Sequence, residues 1–390
     1  MTALVARLRE WTPCKRLRKH PCYVRLRRRL PMAPETYVDD RERLEPAEPI
    51  RLDWPADAPK PRVGLVRDAG PHPRWTKYRR FLETNDIPHA IYELHTADWI
   101  EAAAAFDAVV GMPSNNIWHL EETRRKFWVL ENWLGKFCLP SFEHALLYED
   151  KMLEAYLAQA HGLPFAPTYV SHDPEDARRL VRRLKYPLVS KMVPGSGSVG
   201  VELVRGPRRA ERIVARAFSP GGRPTHLAGC PQQGFVYFQE FIANDGYDLR
   251  VIVVGRYALG YYRRAAAGDF RASGMNLLEK REIPEEALRL AWRVNAVVGS
   301  PKLAVDLVRD RDGAYWIVEF SPLYLVDEPT DLMVRGTPGV YVLEDGGAVR
   351  FQPGRYWTPE LALREFLQRV YLPARRRAGA SGSAAEGRSA

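Results

Sequence analysis

The sequence predicts an α/β protein, a small parallel-sheet domain followed by a larger core of strands and helices. Three observations predict it. Between Val63 and Leu139 short apolar runs alternate with amphipathic ones. From Tyr148 the alternation resumes around a glycine-rich segment. Near the end, two acids interrupt apolar runs of strand character. With 390 residues, 46% hydrophobic and 27% charged, the chain has enough apolar material for two or three packed domains and too much for a disordered polymer.

The net charge of +10 is concentrated in the tails. The first thirty residues hold ten cations, Arg7 to Arg29, against the single acid Glu10, and Arg375–Arg377 add to the other end. A basic arm of loosely helical spacing is either a solvated surface segment or a contact for an anionic partner, such as a lipid surface or an acidic polymer. From Pro31 to about Pro61 proline and acidic residues read as a linker. The four cysteines have no CxxC spacing, and no apolar run approaches the length of a membrane helix, which predicts a cytoplasmic, reducing setting.

Val63–Val66 then reads as a buried strand, Trp75–Asn85 as an amphipathic helix, and Ala90–Leu94 as a strand. A short helix at Trp99–Ala105 and a strand at Ala108–Gly111 follow, giving the β-α-β-α-β order of a parallel sheet. Leu120–Leu134 predicts a longer helix whose neighbours Trp118, Trp128 and Trp133 are expected to pack inside this domain. Beyond it, helices are expected at Lys151–His161 and Pro174–Leu184, the second opened by Asp173 as N-cap and proline at the first position. Strands are expected at Thr168–Val170, Leu188–Met192, Val201–Val204, Phe235–Ile242, Leu249–Val254 and Ala258–Arg263. A helix at Pro284–Val298 precedes strands at Leu303–Val308 and Tyr315–Phe320. Gly221–Gly229 reads as a mobile loop, and the Gly/Ser/Ala-rich end from Ala380 as disordered.

Four features carry chemistry. In Val193–Val201, Gly195, Gly197 and Gly200 alternate with Ser196 and Ser198 between two strands, so the backbone can approach a ligand and aim several amides at a phosphate. No Gly-Lys-Ser/Thr follows, and the next element reads as a strand, which excludes a Walker loop and a dinucleotide fingerprint. Lys191 precedes that loop and Lys151 starts a helix; each either meets a polyphosphate or faces solvent. Asp306 and Glu319 interrupt buried strand runs joined by the turn Arg309–Gly313. Two acids brought together there call for a hard divalent cation, or for a buried pairing with arginine. Arg250, Arg263, Arg264 and Arg271, interleaved with Asp248 and Asp269, either clamp anionic oxygens or lace a sheet edge with charge.

Taken in order, these motifs resemble the ATP-grasp superfamily, nearest its RimK-type glutamate ligases. They are Glu149-Asp150-Lys151, Ser190-Lys191 with Gly195–Val201, Gln239-Glu240-Phe241-Ile242, Asp248-Leu249-Arg250, Gly268-Asp269-Phe270-Arg271, and the acids Asp306 and Glu319. The resemblance covers roughly residues 60–325. It implies a basic extension and linker over 1–60, a pre-ATP-grasp domain over 61–140 and a two-lobed ATP-grasp core over 141–330. A C-terminal extension over 331–378 and a tail over 379–390 would complete the chain.

By the same resemblance, Lys151 and Lys191 would bind the α- and β-phosphates of ATP, and Gly195, Ser196, Gly197 and Ser198 would close over them. Gln239, Glu240, Phe241 and Ile242 would hold adenine at the hinge between the lobes, with Asp248 near the ribose. Arg250 and Arg271 would act on the γ-phosphate and the acyl phosphate made from it. Asp306, Glu319 and Ser321 would hold Mg²⁺, with Mn²⁺ able to substitute. Two positions depart from the family: Ser321 stands where it has asparagine, and Ser273 where RimK-like chains have asparagine, with Asn276 later.

The activity implied is a carboxylate–amine ligase acting on a small-molecule, peptide or glycan acid, in a chain able to form homo-oligomers. A small-molecule kinase on the same fold, and a pseudo-enzyme that binds nucleotide without turnover, are the competing readings. Residues Leu323–Tyr371 match no motif.

Overall fold

The computed structural model describes residues 35–70, 72–112, 117–193, 200–225, 230–265, 270–271, 277–324 and 328–377. Packing divides the chain into two units, Met1–Tyr37 and Val38–Ala390, and every element named below belongs to the second. The basic arm, Gly195–Ser198, Gly268, Asp269, Ser273, Asn276 and the terminal tail lie outside the described residues.

The alternating segment forms a four-stranded parallel sheet. Its strands are β1 (Val63–Leu65), β2 (His89–Ile91), β3 (Ala108–Val110) and β4 (Phe137–Leu139), in the order β2-β1-β3-β4. Helices α1 (Trp75–Thr84), α2 (Trp99–Ala103) and α3 (Ile117–Asn132) supply the crossovers that parallel pairing demands. The tryptophans do not pack as expected. Helix α3 buries Leu120, Thr123, Phe127 and Leu130, an i, i+3, i+7, i+10 stripe, and leaves Trp118 and Trp128 on its outer face. Trp133, just past the helix, is 71% exposed, its ring 5.9 Å from that of Trp128.

Residues 38–62 are a strap as well as a connection. Ile50 is buried, and Leu44, Ala47, Leu52 and Trp54 lie against the main core. Asp40 accepts hydrogen bonds from Thr76 and Lys77 of α1.

After α4 (Phe142–Leu147) and α5 (Lys151–Ala160) the chain builds a small lobe. Its strands β5 (Thr168–Ser171), β6 (Leu188–Ser190), β7 (Glu202–Val204) and β8 (Val236–Glu240) pair antiparallel in the order β5-β8-β6-β7. Helices α6 (Pro174–Arg183) and α7 (Pro207–Ala217) cover one face. Helix α7 is arginine-rich and gave no clear apolar run, yet Ala210, Ile213, Val214 and Ala217 fall at i, i+3, i+4, i+7 and bury together. The loop expected at Gly221–Gly229 is partly pinned: buried Arg223 bonds to the hydroxyl of Ser190 at 2.7 Å and pairs through its backbone with Gln232.

The large lobe is an antiparallel sheet of eight strands. It contains β9 (Tyr247–Val254), β10 (Tyr257–Arg264), β11 (Leu278–Glu279), β12 (Lys302–Arg309), β13 (Tyr315–Ser321), β14 (Met333–Val334), β15 (Thr337–Leu343) and β16 (Val349–Pro353). Its main path runs β13-β12-β9-β10-β15-β14. Helix α8 (Glu285–Val298) buries Ala287, Leu288, Ala291, Trp292 and Val294 beneath β9 and β12.

The stretch that matched no motif thus extends the same sheet and ends in α9 (Thr358–Glu365), which reaches back to α1 through an ion pair of Glu360 with Arg80. Gly260 is required where β10 passes β9. Its φ is +156°, and a Cβ there would sit 2.0 Å from the carbonyl oxygen of Arg250.

Candidate active site

Antiparallel register assembles the site. Strand β12 sets Asp306 opposite Glu319 of β13 on one side and Arg250 of β9 on the other, and β9 sets Arg250 opposite Tyr261 of β10. One row across four strands therefore carries two acids, a guanidinium and a phenol. The next row on β9 and β10 pairs Asp248 with Arg263. Strands β9 and β10 lie inside the sheet, so Arg250 and Arg263 line a face and do not decorate an edge. A bulge between Asp306 and Leu307 leaves Val318 as an extra residue, and Val318 and Glu319 both reach the same cavity.

That cavity has a volume of about 400 Å³, within the usual range for a small-ligand site. The small lobe contributes Val189, Lys191, Val201 and the hinge run Gln239, Glu240, Phe241 and Ile242. The large sheet contributes Asp248, Arg250, Arg263, Asp306, Glu319 and Ser321; α5 contributes Lys151, and Arg271 comes from the segment after β10. All twelve described residues assigned from the sequence line it.

The charges are interlocked. Arg250 grips Asp306 with Nε and Nη2 at 2.8 and 2.9 Å, and Arg263 bonds both to the same carboxylate, at 2.7 Å, and to Asp248. Burial alone would raise the pKa of Asp306; the two guanidinium charges overcome it and hold the group well below the usual carboxylate range. Asp248 is pushed up, because burial there outweighs Arg263.

Asp150 caps α5 by accepting from the amides of Met152 and Leu153, which places Lys151 at the first helical position. Lys151 Nζ lies 3.3 Å from Glu319 Oε1. Burial would lower the Lys151 pKa, but Glu319, Glu154 and Glu149 raise it further, so this ammonium stays charged. Lys191 stands just past β6, and its Nζ donates to the Val318 carbonyl at 2.9 Å, joining the two lobes. Burial lowers its pKa.

At the hinge the amides of Glu240 and Phe241 are already taken, by the carbonyls of Pro167 at 2.8 Å and Pro187 at 3.3 Å. The side chain of Glu240 accepts from Tyr169, and Gln239 donates to Thr168. Asn244 donates to the Ile242 carbonyl at 2.9 Å. Phe270, beside Arg271, meets the ring of Phe241 edge-on with centroids 6.1 Å apart.

Ser321 lines the cavity, but its hydroxyl donates to the Leu323 carbonyl at 2.6 Å, closing a turn at the end of β13. With Ser321 so engaged, the pair of acids that adjacent strands set opposite each other at the cavity is Asp306 and Glu319. Such hard oxygens on adjacent strands fit a divalent cation with room for phosphate and water ligands.

The sequence grouped Arg263 with arginines that either clamp anionic oxygens or lace a sheet edge; in the structure it bridges Asp248 and Asp306. Glu154 was missed altogether. Its position three residues after Lys151, beside the buried Ala155 and Ala158, marked it as lying on the packed face of α5. Burial pushes its carboxyl pKa well up.

A family profile described as a RimK-like ATP-grasp domain matches residues 148–322, the span that holds every one of these groups. The chain carries a RimK-like ATP-grasp domain. Similar curated proteins include the alpha-aminoadipate--LysW ligase LysX of Saccharolobus solfataricus, 27% identical over 44% of this chain and 61% of that protein. A probable alpha-L-glutamate ligase of Stutzerimonas stutzeri is 30% identical over 51% of this chain and 64% of its own length. The chain spans about three-fifths of the length of the first such relatives, 61%, 60% and 58%. Among solved structures, D-cycloserine synthetase DcsG superposes with a TM-score of 0.52 over 79% of this chain and 100% of that one, at 19% identity, a likeness of fold. The ATP-grasp domain thus has the expected α/β build of two lobes with the cavity between them. Among the described residues, no helix is long and apolar enough to cross a membrane.

Proposed function

We propose that the chain is an ATP-dependent carboxylate–amine ligase. One observation supports this most directly: Asp306 and Glu319 stand opposite each other at a cavity that also presents Lys151, Lys191, Arg250 and Arg271. In this reading 61–140 is the pre-ATP-grasp domain, 141–330 the ATP-grasp core and 331–378 its C-terminal extension. The setting is cytoplasmic, and the acid and amine are small molecules or peptide groups.

Adenine lies against Val189, Phe241 and Ile242, read by backbone groups of Ile242, because the Glu240 and Phe241 amides are occupied. Lys151 and Lys191 hold the α- and β-phosphates. To do so Lys191 exchanges the Val318 carbonyl for a phosphate oxygen. Asp248 lies near the ribose. Asp306 and Glu319 would hold Mg²⁺ or Mn²⁺, which supplies positive charge between the nucleotide and the incoming carboxylate.

A carboxylate oxygen of the acid attacks the γ-phosphorus, the bond to the β-phosphate oxygen breaks, and ADP leaves. Arg250 and Arg271 bind the equatorial oxygens of the transferring group, where charge collects. The amine then attacks the carbonyl carbon of the acyl phosphate. Inorganic phosphate departs and the ammonium proton goes to solvent, leaving an amide.

The test is a hydroxylamine trap, with ATP and a panel of carboxylic acids. Hydroxamate formation together with acid-dependent ADP release is expected. Phosphate appearing on a hydroxyl product would make the protein a kinase, and nucleotide binding with no turnover across the panel would make it a pseudo-enzyme; either result overturns the ligase reading.

A further inference from the structure

Strand β13 is the outer strand of its sheet, so among the described residues one side of its backbone pairs with no named strand. Edge groups left bare and buried are costly. Here they are met from elsewhere: Ile317 exchanges bonds with Pro164 and Ala166, Val318 accepts from Lys191, and the amide of Phe320 donates to Glu154 Oε2 at 3.0 Å. Glu154 is 1% exposed and is not among the groups lining the cavity.

Phe320 lies between Glu319 and Ser321. Lys151 and Glu154 sit one turn apart on α5, and together they grip two successive residues of β13. Lys151 takes the side chain of Glu319 at 3.3 Å, and Glu154 takes the backbone of Phe320. The pair sets where the Glu319 carboxylate stands relative to Asp306. A loose edge strand would let that carboxylate swing, since on its other side Glu319 meets β12 across the strand register.

We infer that Glu154 is a positioning residue: by anchoring the β13 backbone to α5 it fixes Glu319 for the divalent cation that accompanies the nucleotide. The inference rests on the ligase reading for the identity of that cation. It concerns geometry held through an amide, so it separates from any role of the Glu154 charge.

The full-length protein is titrated with Mn²⁺ in the presence of a non-hydrolysable ATP analogue, followed by electron paramagnetic resonance, and the 319–321 amides are followed by hydrogen exchange. Glu154→Gln keeps an acceptor oxygen in place, whereas Glu154→Met keeps bulk and removes it. Glu154→Asp keeps the charge but withdraws the oxygens, and it decides the matter should Glu154→Met fail to fold.

Glu154→Met and Glu154→Asp are expected to weaken Mn²⁺ binding at least about tenfold and to speed exchange at Phe320. Metal-free nucleotide binding should stay near wild type in both, and Glu154→Gln should behave as wild type. Wild-type Mn²⁺ affinity in Glu154→Met or Glu154→Asp, even with lowered thermal stability, would overturn the inference and leave only a structural role. A Glu154→Gln variant as impaired as Glu154→Met would overturn it in favour of the charge. If wild-type protein takes up no Mn²⁺ with nucleotide, the ligase reading fails first.

Discussion

Both oxygens of Asp306 are engaged by arginine, the first by Arg250 and the second by Arg250 and Arg263 together. A cation that binds Asp306 would use the lone pair left on Oδ1 or displace a guanidinium. Arg250 is the one with somewhere to go, because the transferring phosphate would lie over the same cavity. Arg263 stays tied to Asp248. In the proposed ligase, pairing with arginine and pairing with metal would both fall to this one carboxylate, where the sequence left them as alternatives.

Asp306→Asn should expose how much the fold depends on this grip. Removing one charge from a buried network strands the other, a loss of about 3–5 kcal/mol. Urea unfolding should show that drop, and Mn²⁺ titration should show no binding in the presence of nucleotide. A variant as stable as wild type would mean that the guanidinium charges are screened by other groups.

Lys191→Met should weaken ADP binding roughly tenfold or more, about 1.4 kcal/mol for each factor of ten, as measured by calorimetry. The fold should persist, since the residue stands beyond the end of β6 and its bond to Val318 is a single one. Unchanged ADP affinity would remove Lys191 from the phosphate site.

Ser321→Ala tests whether the hydroxyl serves the metal or the turn. It donates to Leu323 at 2.6 Å, so its loss should cost about 1 kcal/mol of stability and leave Mn²⁺ affinity within about twofold. A large fall in Mn²⁺ affinity would make Ser321 a ligand, as the family resemblance implies.

Lys302 opens β12 four residues before Asp306 and is 2% exposed, with Nζ 3.2 Å from the Tyr78 hydroxyl and over the Tyr324 ring. Burial, with Arg74 nearby, lowers its pKa to about 7. Above that pH the folded chain holds it neutral, while the unfolded chain keeps the proton up to about 10.4. The unfolded state then binds more protons, so this group makes stability rise with pH between about 7 and 10, by at most about 1.4 kcal/mol per unit. Thermal melts across that range should show the rise, and Lys302→Met should flatten it; equal slopes in both proteins would place a charged lysine in the core.

Much of the candidate site was legible because its chemistry is local. Lys151 follows its N-cap, Lys191 follows a strand, and Asp306 and Glu319 break apolar runs whose hairpin turn is visible as Arg309–Gly313. What could not be read was which charge meets which. The Trp118, Trp128 and Trp133 expectation failed for a related reason: aromatic residues suggest burial, but the phase of α3 against its sheet decides which face is covered. Helix α7 hid behind its arginines, since four small or branched residues at helical spacing suffice to bury a face.

The sequence by itself determined the α/β class, most of the order of elements and the residue types around the cavity, because periodicity, caps and turns act over a few residues, and its family resemblance implied the two lobes. Tertiary structure alone decided that Asp306 is shared between Arg250 and Arg263, that Ser321 spends its hydroxyl on Leu323, and that Glu154 holds the edge of β13. Those outcomes depend on strand register and on a bulge between Asp306 and Leu307. A shift of one residue in the register of β13 would turn Glu319 and Ser321 to the opposite face of the sheet.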